Sequence, residues 1–153
     1  MSTTSNLPTN REWFSKLLSR TPHQVIGGVD NPYLLRWYLI PRNPFINVYL
    51  HKFLRSDDDR ALHDHPWWFV SLMLRGHYTE ITEQGGVVRA APELSQLYPG
   101  QSPIAFRPAT WRHRVQLTRR GGVGTEVPAW TLIVTGRRTR EWGFWCRHSN
   151  SFL

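Results

Sequence analysis

Short apolar runs separated by proline and glycine fill the chain after residue 22, and this pattern predicts strands. The first two predicted strands, PYLLRWYLIP and INVYLHKFL, are rich in aromatic and branched residues and are separated by the turn PRNP. Further predicted strands lie in WWFVSLML, HYTEIT, VVRAA, SPIAFRP, HRVQL, AWTLIVTG and EWGFWC. About nine short strands with almost no helix indicate an all-β sandwich or barrel.

A short helix is predicted before these strands, at about residues 10–20. Thr9 and Glu12 have the spacing of a capping box, in which each side chain accepts a hydrogen bond from the backbone of the other residue. Trp13, Leu17 and Leu18 form a short apolar stripe at helical spacing. We therefore expect an N-terminal extension with this helix at residues 1–22 and a single β-barrel domain at residues 23–153.

Composition narrows the class of protein. A chain of 153 residues with 40% hydrophobic residues is typical of one globular domain. No run of eighteen apolar residues is present, so we expect no membrane span. The first residues, MSTTSNLPTNREWF, lack the basic and apolar regions of a secretory signal. The single cysteine, Cys146, fits a reducing compartment, and we expect a cytoplasmic protein.

The chain is basic, with 19 basic residues, 17 of them arginine, against 11 acidic residues and a formal net charge of +8. Arginine suits bidentate contacts with phosphate or carboxylate, which favours an anionic partner. A GC-rich genome gives the same bias without any function, and the scatter of the arginines favours that explanation. No long basic block is present, so we expect a small-molecule substrate rather than nucleic acid. The sequence leaves a homodimer open.

Two histidines stand at the start of an apolar run in the stretch RALHDHPWWFVSLMLRG. In a strand, His63 and His65 would point to one face and Asp64 to the other. The stretch is either a polar loop before a core strand or a metal site at the mouth of a barrel. A third histidine, His113, follows in FRPATWRHRVQL.

The spacings around these histidines resemble the two motifs of the cupin family. Gly76 lies eleven places after His65, as the first motif requires, and Pro108 lies five places before His113, as the second requires. The resemblance covers residues 45–135 and implies a double-stranded β-helix, or jelly-roll, barrel. The strings HKFLRSDDDRALHDHPW and WTLIVTGRRTREWGFW are also similar to those of small bacterial and phage cupins, which extends the resemblance towards the C-terminus.

The sequence also departs from the cupin motifs. Phe69, or Val70 in the longer spacing, stands where the first motif has its glutamate ligand. Asp57 and Thr110 replace motif glycines, and Leu117 replaces the terminal asparagine. The resulting three-histidine set resembles the metal site of the thiol dioxygenases within the cupins.

The chemistry of the three histidines agrees with a metal site. Neutral imidazole is a common ligand for iron, zinc, copper and nickel. Three nitrogens on one side of a metal leave positions open for a substrate, as a catalytic site needs. We expect His63, His65 and His113 to hold a divalent transition metal, Fe(II) first, with Zn, Ni, Mn or Cu as alternatives. A fourth ligand from Asp57, Asp59 or Asp64 stays open, as does a hydrogen bond from a ligating imidazole to one of these carboxylates.

Several residues near the histidines are candidates for a substrate pocket. Arg75, Arg107 and Arg112 are candidates for holding a substrate anion, with Trp111 beside them. Nearby aromatic residues either line the pocket or fill the barrel, and they are Trp67, Phe69, Phe106, Trp111 and Trp130. His51 shares a strand face with Tyr49 and Phe53, and either lines the cavity or adjoins the core.

Two functions from different classes follow from this sequence. The first is a metal-dependent enzyme, an iron-type oxygenase acting on a small anionic substrate. The second is a non-catalytic cupin that binds a small ligand such as a sugar or a nucleotide, which the missing glutamate favours. Because one fold serves many functions, the fold itself does not decide between them.

Overall fold

The computed structural model describes residues 7–57 and 61–145. In this part of the chain there are one α-helix, α1 (Asn10–Leu18), and eleven strands. The strands are β1 (Gln24–Ile26), β2 (Leu34–Tyr38), β3 (Asn47–Phe53), β4 (Leu62–His63), β5 (Phe69–Arg75), β6 (His77–Thr82), β7 (Gly85–Ala90), β8 (Ile104–Arg107), β9 (Arg114–Leu117), β10 (Ala129–Thr135) and β11 (Phe144–Trp145). Short 3₁₀ turns lie at Pro92–Leu94 and Arg120–Gly122. Within the described residues, no helix has both the length and the apolar character needed to span a membrane.

Nine of the strands form two antiparallel sheets with a shared core, and β4 pairs with β11 in a third, two-stranded sheet. The larger sheet has six strands in the order β1-β2-β3-β10-β5-β8, and the smaller has three in the order β7-β6-β9. Phe53 of the larger sheet and Tyr78 of the smaller sheet have ring centroids 5.6 Å apart. Both belong to one buried cluster with Met73 and Val115. The all-β prediction is confirmed, and every predicted strand segment contains a strand. Sequence analysis did not predict β1 and β4, because two or three residues carry no periodic signal.

Side chains alternate between the interior and the outer face along the central strands β3 and β10. Along β3, the buried positions include Tyr49, His51 and Phe53. The register of β10 places Thr131 opposite His51 and Ile133 opposite Tyr49. Because the strand period is two residues, Tyr49 and His51 both point into the barrel.

Gly76 makes the reversal that moves the chain from the larger sheet to the smaller one. Its φ is +78°, in the left-handed region that side chains rarely adopt. A Cβ at this position would also lie 3.0 Å from the carbonyl oxygen of Pro128. The glycine of the first cupin-like motif therefore has a structural role, since it allows β6 to begin directly after β5.

Helix α1 begins with the predicted capping box between Thr9 and Glu12. The Trp13 indole N–H donates to the carbonyl oxygen of Tyr38 at 2.7 Å, which attaches the helix to β2. His23 donates from Nε2 to the Trp13 carbonyl (3.0 Å) and accepts from the Tyr38 N–H at Nδ1 (3.1 Å). The predicted apolar stripe is wrong at Leu18, which is 69% exposed, because the helix ends there and Trp13 makes the contact with β2.

The neighbouring residues Met73 and Leu74 test this assignment of the core. Met73 is completely buried, whereas Leu74 is 42% exposed on the other face of β5. Met73→Ala is expected to lower the free energy of unfolding by about 2–5 kcal/mol, because it removes buried atoms and leaves a cavity. Leu74→Ala is the matched control and should change it by no more than about 0.5 kcal/mol. Urea unfolding of both variants measures the difference, and equal losses would contradict the assigned faces.

Candidate metal centre and its cavity

The three predicted histidines come together in the fold. His63 ends β4, His65 follows it, and His113 precedes β9. The backbones of His63 and His113 form an antiparallel bridge, in which each N–H donates to the other residue's carbonyl oxygen at 3.0 Å. The three ring centroids lie 5.1–5.2 Å apart. A cluster that the sequence separates by about fifty residues is thus fixed by two backbone hydrogen bonds.

The positions of the ring nitrogens fit a metal ion. The Nε2 atoms of His65 and His113 lie 2.9 Å apart. Two ligands at right angles around a metal, each about 2.1 Å away, would lie about 3.0 Å apart. Each of the three histidines offers a nitrogen, and these nitrogens lie within 4.8 Å of one another. The donor set therefore fits a transition metal with three imidazole ligands.

Two of the three imidazoles, those of His63 and His65, are neutral, as metal ligands must be. Burial lowers the pKa of His63 to about 3, with a further contribution from the nearby His113. Burial also lowers the pKa of His65 well below its ordinary value, and His113 and His63 add to this effect. At neutral pH these rings keep an unprotonated nitrogen for a metal.

A carboxylate lies behind two of the three rings. Asp57 Oδ2 is 3.4 Å from His63 Nδ1, and Glu80 Oε1 is 3.4 Å from His113 Nδ1. A carboxylate at Nδ1 favours the tautomer that has its proton there, which leaves Nε2 free to bind a metal. This arrangement matches the outer carboxylate–histidine pairs of metal sites. It also agrees with the expectation that one of the aspartates near His63 contacts a ligand ring.

Glu80 is a functional candidate that sequence analysis missed. It is completely buried on the inner face of β6, where Arg107 donates to Oε2 from Nη2 (2.7 Å) and Nε (3.2 Å). Burial raises the pKa of the Glu80 carboxyl, but the contacts with His113 and Arg107 outweigh burial, so its pKa is lowered overall. Glu80 is therefore an anion held between Arg107 and His113. The segment HYTEIT contained the signal, because its alternation places Glu80 on the same face as the apolar Tyr78.

The histidines lie in the wall of a cavity of about 300 Å³ between the sheets. Aromatic side chains form much of this wall, including Tyr33, Tyr49 and Phe53. Trp142 packs beside His65, with ring centroids 5.1 Å apart, and is 42% exposed. The cavity is thus largely apolar, with its polar atoms concentrated at the three histidines and at a few side chains described below.

Comparisons with known proteins place this fold. An RmlC-like cupin from Ralstonia eutropha JMP134 superposes with a TM-score of 0.54 and 12% identity, over 88% of this chain and 73% of that one. A double-stranded β-helix protein from Klebsiella pneumoniae gives 0.50 and 13%, over 93% of both chains. The chain has the cupin fold. A candidate mannose-6-phosphate isomerase, also from Ralstonia eutropha JMP134, gives 0.51 and 17%, over 75% of this chain and 93% of that one. No family model matches the sequence, and a search of curated proteins gives no significant match.

The chain has an aromatic ring where the cupin motif has a carboxylate. The Phe69 ring lies 4.8 Å from the His65 ring and 5.9 Å from the His113 ring. Among the described residues, no carboxylate joins the three histidines in a ligand group. Asp64 points away, as the alternation predicts, and pairs with Arg140 at 3.1 Å. Asp59 lies outside the described residues, as do Cys146 and His148.

The arginines predicted to bind a substrate do not line the cavity. Arg107 is held by Glu80 and lies over the Trp111 ring, 4.3 Å from its centroid. Arg112 pairs with Glu83 at 2.6 Å, and Arg75 is exposed at the end of β5. Substrate binding by Arg75, Arg107, Arg112 and Trp111 stays a prediction that no cavity contact supports. The physical reason is that the guanidinium groups of Arg107 and Arg112 already pair with glutamates, and that of Arg75 faces solvent.

Some of the aromatic residues near the histidines in sequence do line the cavity, and others do not. Trp67 and Phe69 form part of the wall. Phe106 is 58% exposed at the edge strand β8, and Trp130 stacks on Trp37 on the outer face of the larger sheet, with centroids 5.6 Å apart.

The cationic side chain that does line the cavity is Arg36 on β2, which sequence analysis did not single out. Its Nε donates to His51 Nε2 at 2.8 Å, and its Nη1 donates to Gln24 Oε1 at 3.0 Å. His51 also lines the cavity and is 7% exposed. Burial lowers the pKa of His51 well below its ordinary value, and the charge of Arg36 lowers it further.

One prediction for the site concerns the carboxylate behind His63. Asp57→Ala is expected to weaken metal binding about 10- to 100-fold, because the His63 ring loses the group that orients it. A chelator-competition titration with Zn²⁺ or Co²⁺ measures this change. Asp30→Ala, which alters an exposed loop carboxylate, is the matched control and should bind as the wild type does. Equal affinities in all three proteins would show that Asp57 does not support the site.

Another prediction for the site concerns the neutral buried His51. Its pKa is lower in the folded state than the unfolded value of about 6.5, so below that pH the unfolded state binds the extra proton. The metal-free protein should therefore lose stability as the pH falls below about 6.5, by about 1.4 kcal/mol per pH unit for each such histidine. This loss continues until the pH reaches the folded-state pKa.

His51→Gln should make that dependence shallower by up to the slope of one proton, because His63 and His65 still contribute. Urea unfolding between about pH 7 and pH 5, with a chelator present, compares the two slopes. Identical slopes in the wild type and the variant would contradict the assignment of His51 as a neutral buried group.

Proposed function

We propose that this cupin is a metal-dependent enzyme, an iron-type oxygenase that acts on a small anionic substrate. The observation that carries the proposal is the cluster of three imidazoles beside a largely apolar cavity, two of them backed by carboxylates. A site with three protein nitrogens leaves open positions, whereas structural sites are usually closed by a fourth protein ligand.

His63, His65 and His113 would hold the metal. When bound, Fe(II) supplies the redox chemistry and the open coordination positions that an oxygenase needs. Asp57 and Glu80 keep the rings in the ligating tautomer, and the Phe69 ring packs against two of them and excludes water. Fe(II) is our first choice of metal, and Zn, Ni, Mn and Cu also suit imidazole-rich sites.

The size of the cavity favours a small substrate. Its volume of about 300 Å³ is at the lower end of the range for small-molecule pockets, about 300–1,000 Å³. Apolar walls suit the body of an organic molecule and would keep the reacting groups away from bulk water.

The second candidate is a non-catalytic cupin that binds a small ligand such as a sugar or a nucleotide. The observation that favours it is Phe69, an aromatic ring in the position where the motif has its carboxylate ligand. Metal content separates the two candidates, since a binding protein of this kind needs no metal.

The test begins with metal stoichiometry after anaerobic loading with Fe²⁺, followed by elemental analysis. The wild type should retain a stoichiometric ion, and His63→Ala and His113→Ala should retain almost none. His77→Ala is the matched control, because His77 contacts Tyr98 away from the cluster and its loss should leave the metal in place. Failure of the folded wild type to retain metal would contradict the enzyme proposal and support the binding protein.

Oxygen uptake then tests the type of reaction. The Fe²⁺-loaded protein should consume oxygen in the presence of a small organic acid that it binds, and His113→Ala should not. Retention of Fe²⁺ without oxygen uptake across a panel of such acids would reject the oxygenase.

A further inference from the structure

Arg36 is a half-buried cation in the cavity wall, and among the described residues it has no anionic partner. Its hydrogen-bond partners are His51 and Gln24, and its guanidinium lies 4.9 Å from the centroid of the Tyr49 ring. None of these groups carries a negative charge. Within the described residues, no carboxylate lies at ion-pair distance from Arg36, and the acidic residue that lines the cavity, Asp57, contacts His63 instead.

The lack of an anion at Arg36 has an energetic consequence. Burial lowers the pKa of Arg36, but an arginine side chain stays protonated in proteins. A charge that is partly removed from water is costly unless an opposite charge or hydrogen bonds compensate for it. An anionic ligand in the cavity would supply the missing charge, so the cavity favours anions over neutral molecules of the same shape.

The guanidinium is also held in a fixed orientation. His51, which accepts from Nε, lies between the rings of Tyr49 and Phe53, with both centroids 5.9 Å away. Gln24 holds Nη1 from the neighbouring strand β1, whereas no hydrogen bond joins Nη2 to a described residue. The N–H groups of Nη2 are therefore available to a ligand, and those of Nε and Nη1 hold the side chain in place.

Arg36 shares the cavity with the three histidines. Its charge contributes to the lowered pKa of His65, so the two groups interact electrostatically across the cavity. Much of the cavity wall is apolar or aromatic, including Tyr33, Phe53 and Ile133. A molecule bound at both ends would have an anionic group at Arg36, an apolar body along these walls, and its reactive end at the histidines.

We propose that Arg36 binds the anionic group of the substrate, and that this group is a carboxylate on a small, mainly apolar molecule. A carboxylate fits a single arginine, whereas phosphate sites usually combine several cationic side chains with backbone N–H groups. In the cavity wall, as far as the structure describes it, Arg36 is the only arginine or lysine. This inference rests on the proposed function in one respect: it takes the cavity beside the histidines as the substrate site.

The test measures equilibrium binding to the metal-free and the Zn²⁺-loaded protein. The probes are phenylacetate, hexanoate, the neutral isostere phenylacetamide, and inorganic phosphate. Calorimetry, or the fluorescence of the tryptophans near the cavity, measures the binding of each probe. At least one of the two carboxylates should bind at millimolar concentration or better, and more tightly than the amide and phosphate. This comparison needs no variant, so it holds even if substitutions at Arg36 disturb the fold.

Variants then assign the effect to Arg36. Arg36→Met should weaken binding of the carboxylate about 10- to 100-fold, the loss expected for a charge-assisted hydrogen bond. Arg36→Lys should bind with intermediate affinity, because it keeps the charge but loses the planar fork. Arg11→Met, which removes an exposed helix arginine and the same net charge, is the matched control and should bind like the wild type.

Several outcomes would overturn the inference. These are failure of both carboxylates to bind either form, equal binding of phenylacetate and phenylacetamide, tighter binding of phosphate, or unchanged carboxylate binding in Arg36→Met. The metal-free arm separates this inference from the proposed function. Carboxylate selectivity that depends on Arg36, in a protein that retains no metal, would support the anion site and reject the oxygenase. Metal retention without that selectivity would reject the anion site at Arg36 and would agree with the proposed enzyme.

Discussion

The candidate site depends on one backbone contact, the antiparallel bridge between His63 and His113. Its two hydrogen bonds of 3.0 Å join segments that are far apart in sequence and fix the directions of both side chains. His65 follows at the next position on the same face, so the bridge determines the place of all three rings. A one-residue slip would turn His63 and His65 away from His113, because each strand shift exchanges the two faces. The geometry of the ligands is therefore set by the backbone before any metal binds.

The charges around the cavity are arranged asymmetrically. The carboxylates of Asp57 and Glu80 lie on the Nδ1 side of His63 and His113, and a third, Asp64, is turned away towards Arg140. On the cavity side, the partners of Arg36 among the described residues are all neutral. The negative charges of the protein thus support the ligand rings, while the open space receives a positive field from Arg36. Such a separation favours a ligand that brings its own negative charge.

Much of this site could be predicted from the sequence, because it depends on local periodicity and spacing. Alternation gave the common face of His63 and His65, and the resemblance to the cupin motifs connected them with His113. Arg36 could not be predicted in this way. It lies in the strand segment LLRWY, which is apolar on both faces, so only its pairing with β3 decides which face is inside. Arg107 is a candidate for binding a substrate from the sequence, but it does not line the cavity. It lies opposite the cavity residue Phe69 in the sheet, but it forms an ion pair with Glu80, which is distant in sequence.

The replacement of the motif glutamate by Phe69 and the unpaired charge of Arg36 have related consequences. A carboxylate at position 69 would add a negative charge beside His65 and would lower the electrostatic potential of the cavity. The Phe69 ring adds no charge, so the positive field of Arg36 inside the apolar walls is not offset from that position. A site with one fewer anionic ligand also leaves one more coordination position for the substrate. Both effects favour an anionic substrate, which would supply from its own atoms the negative charge that the protein leaves out.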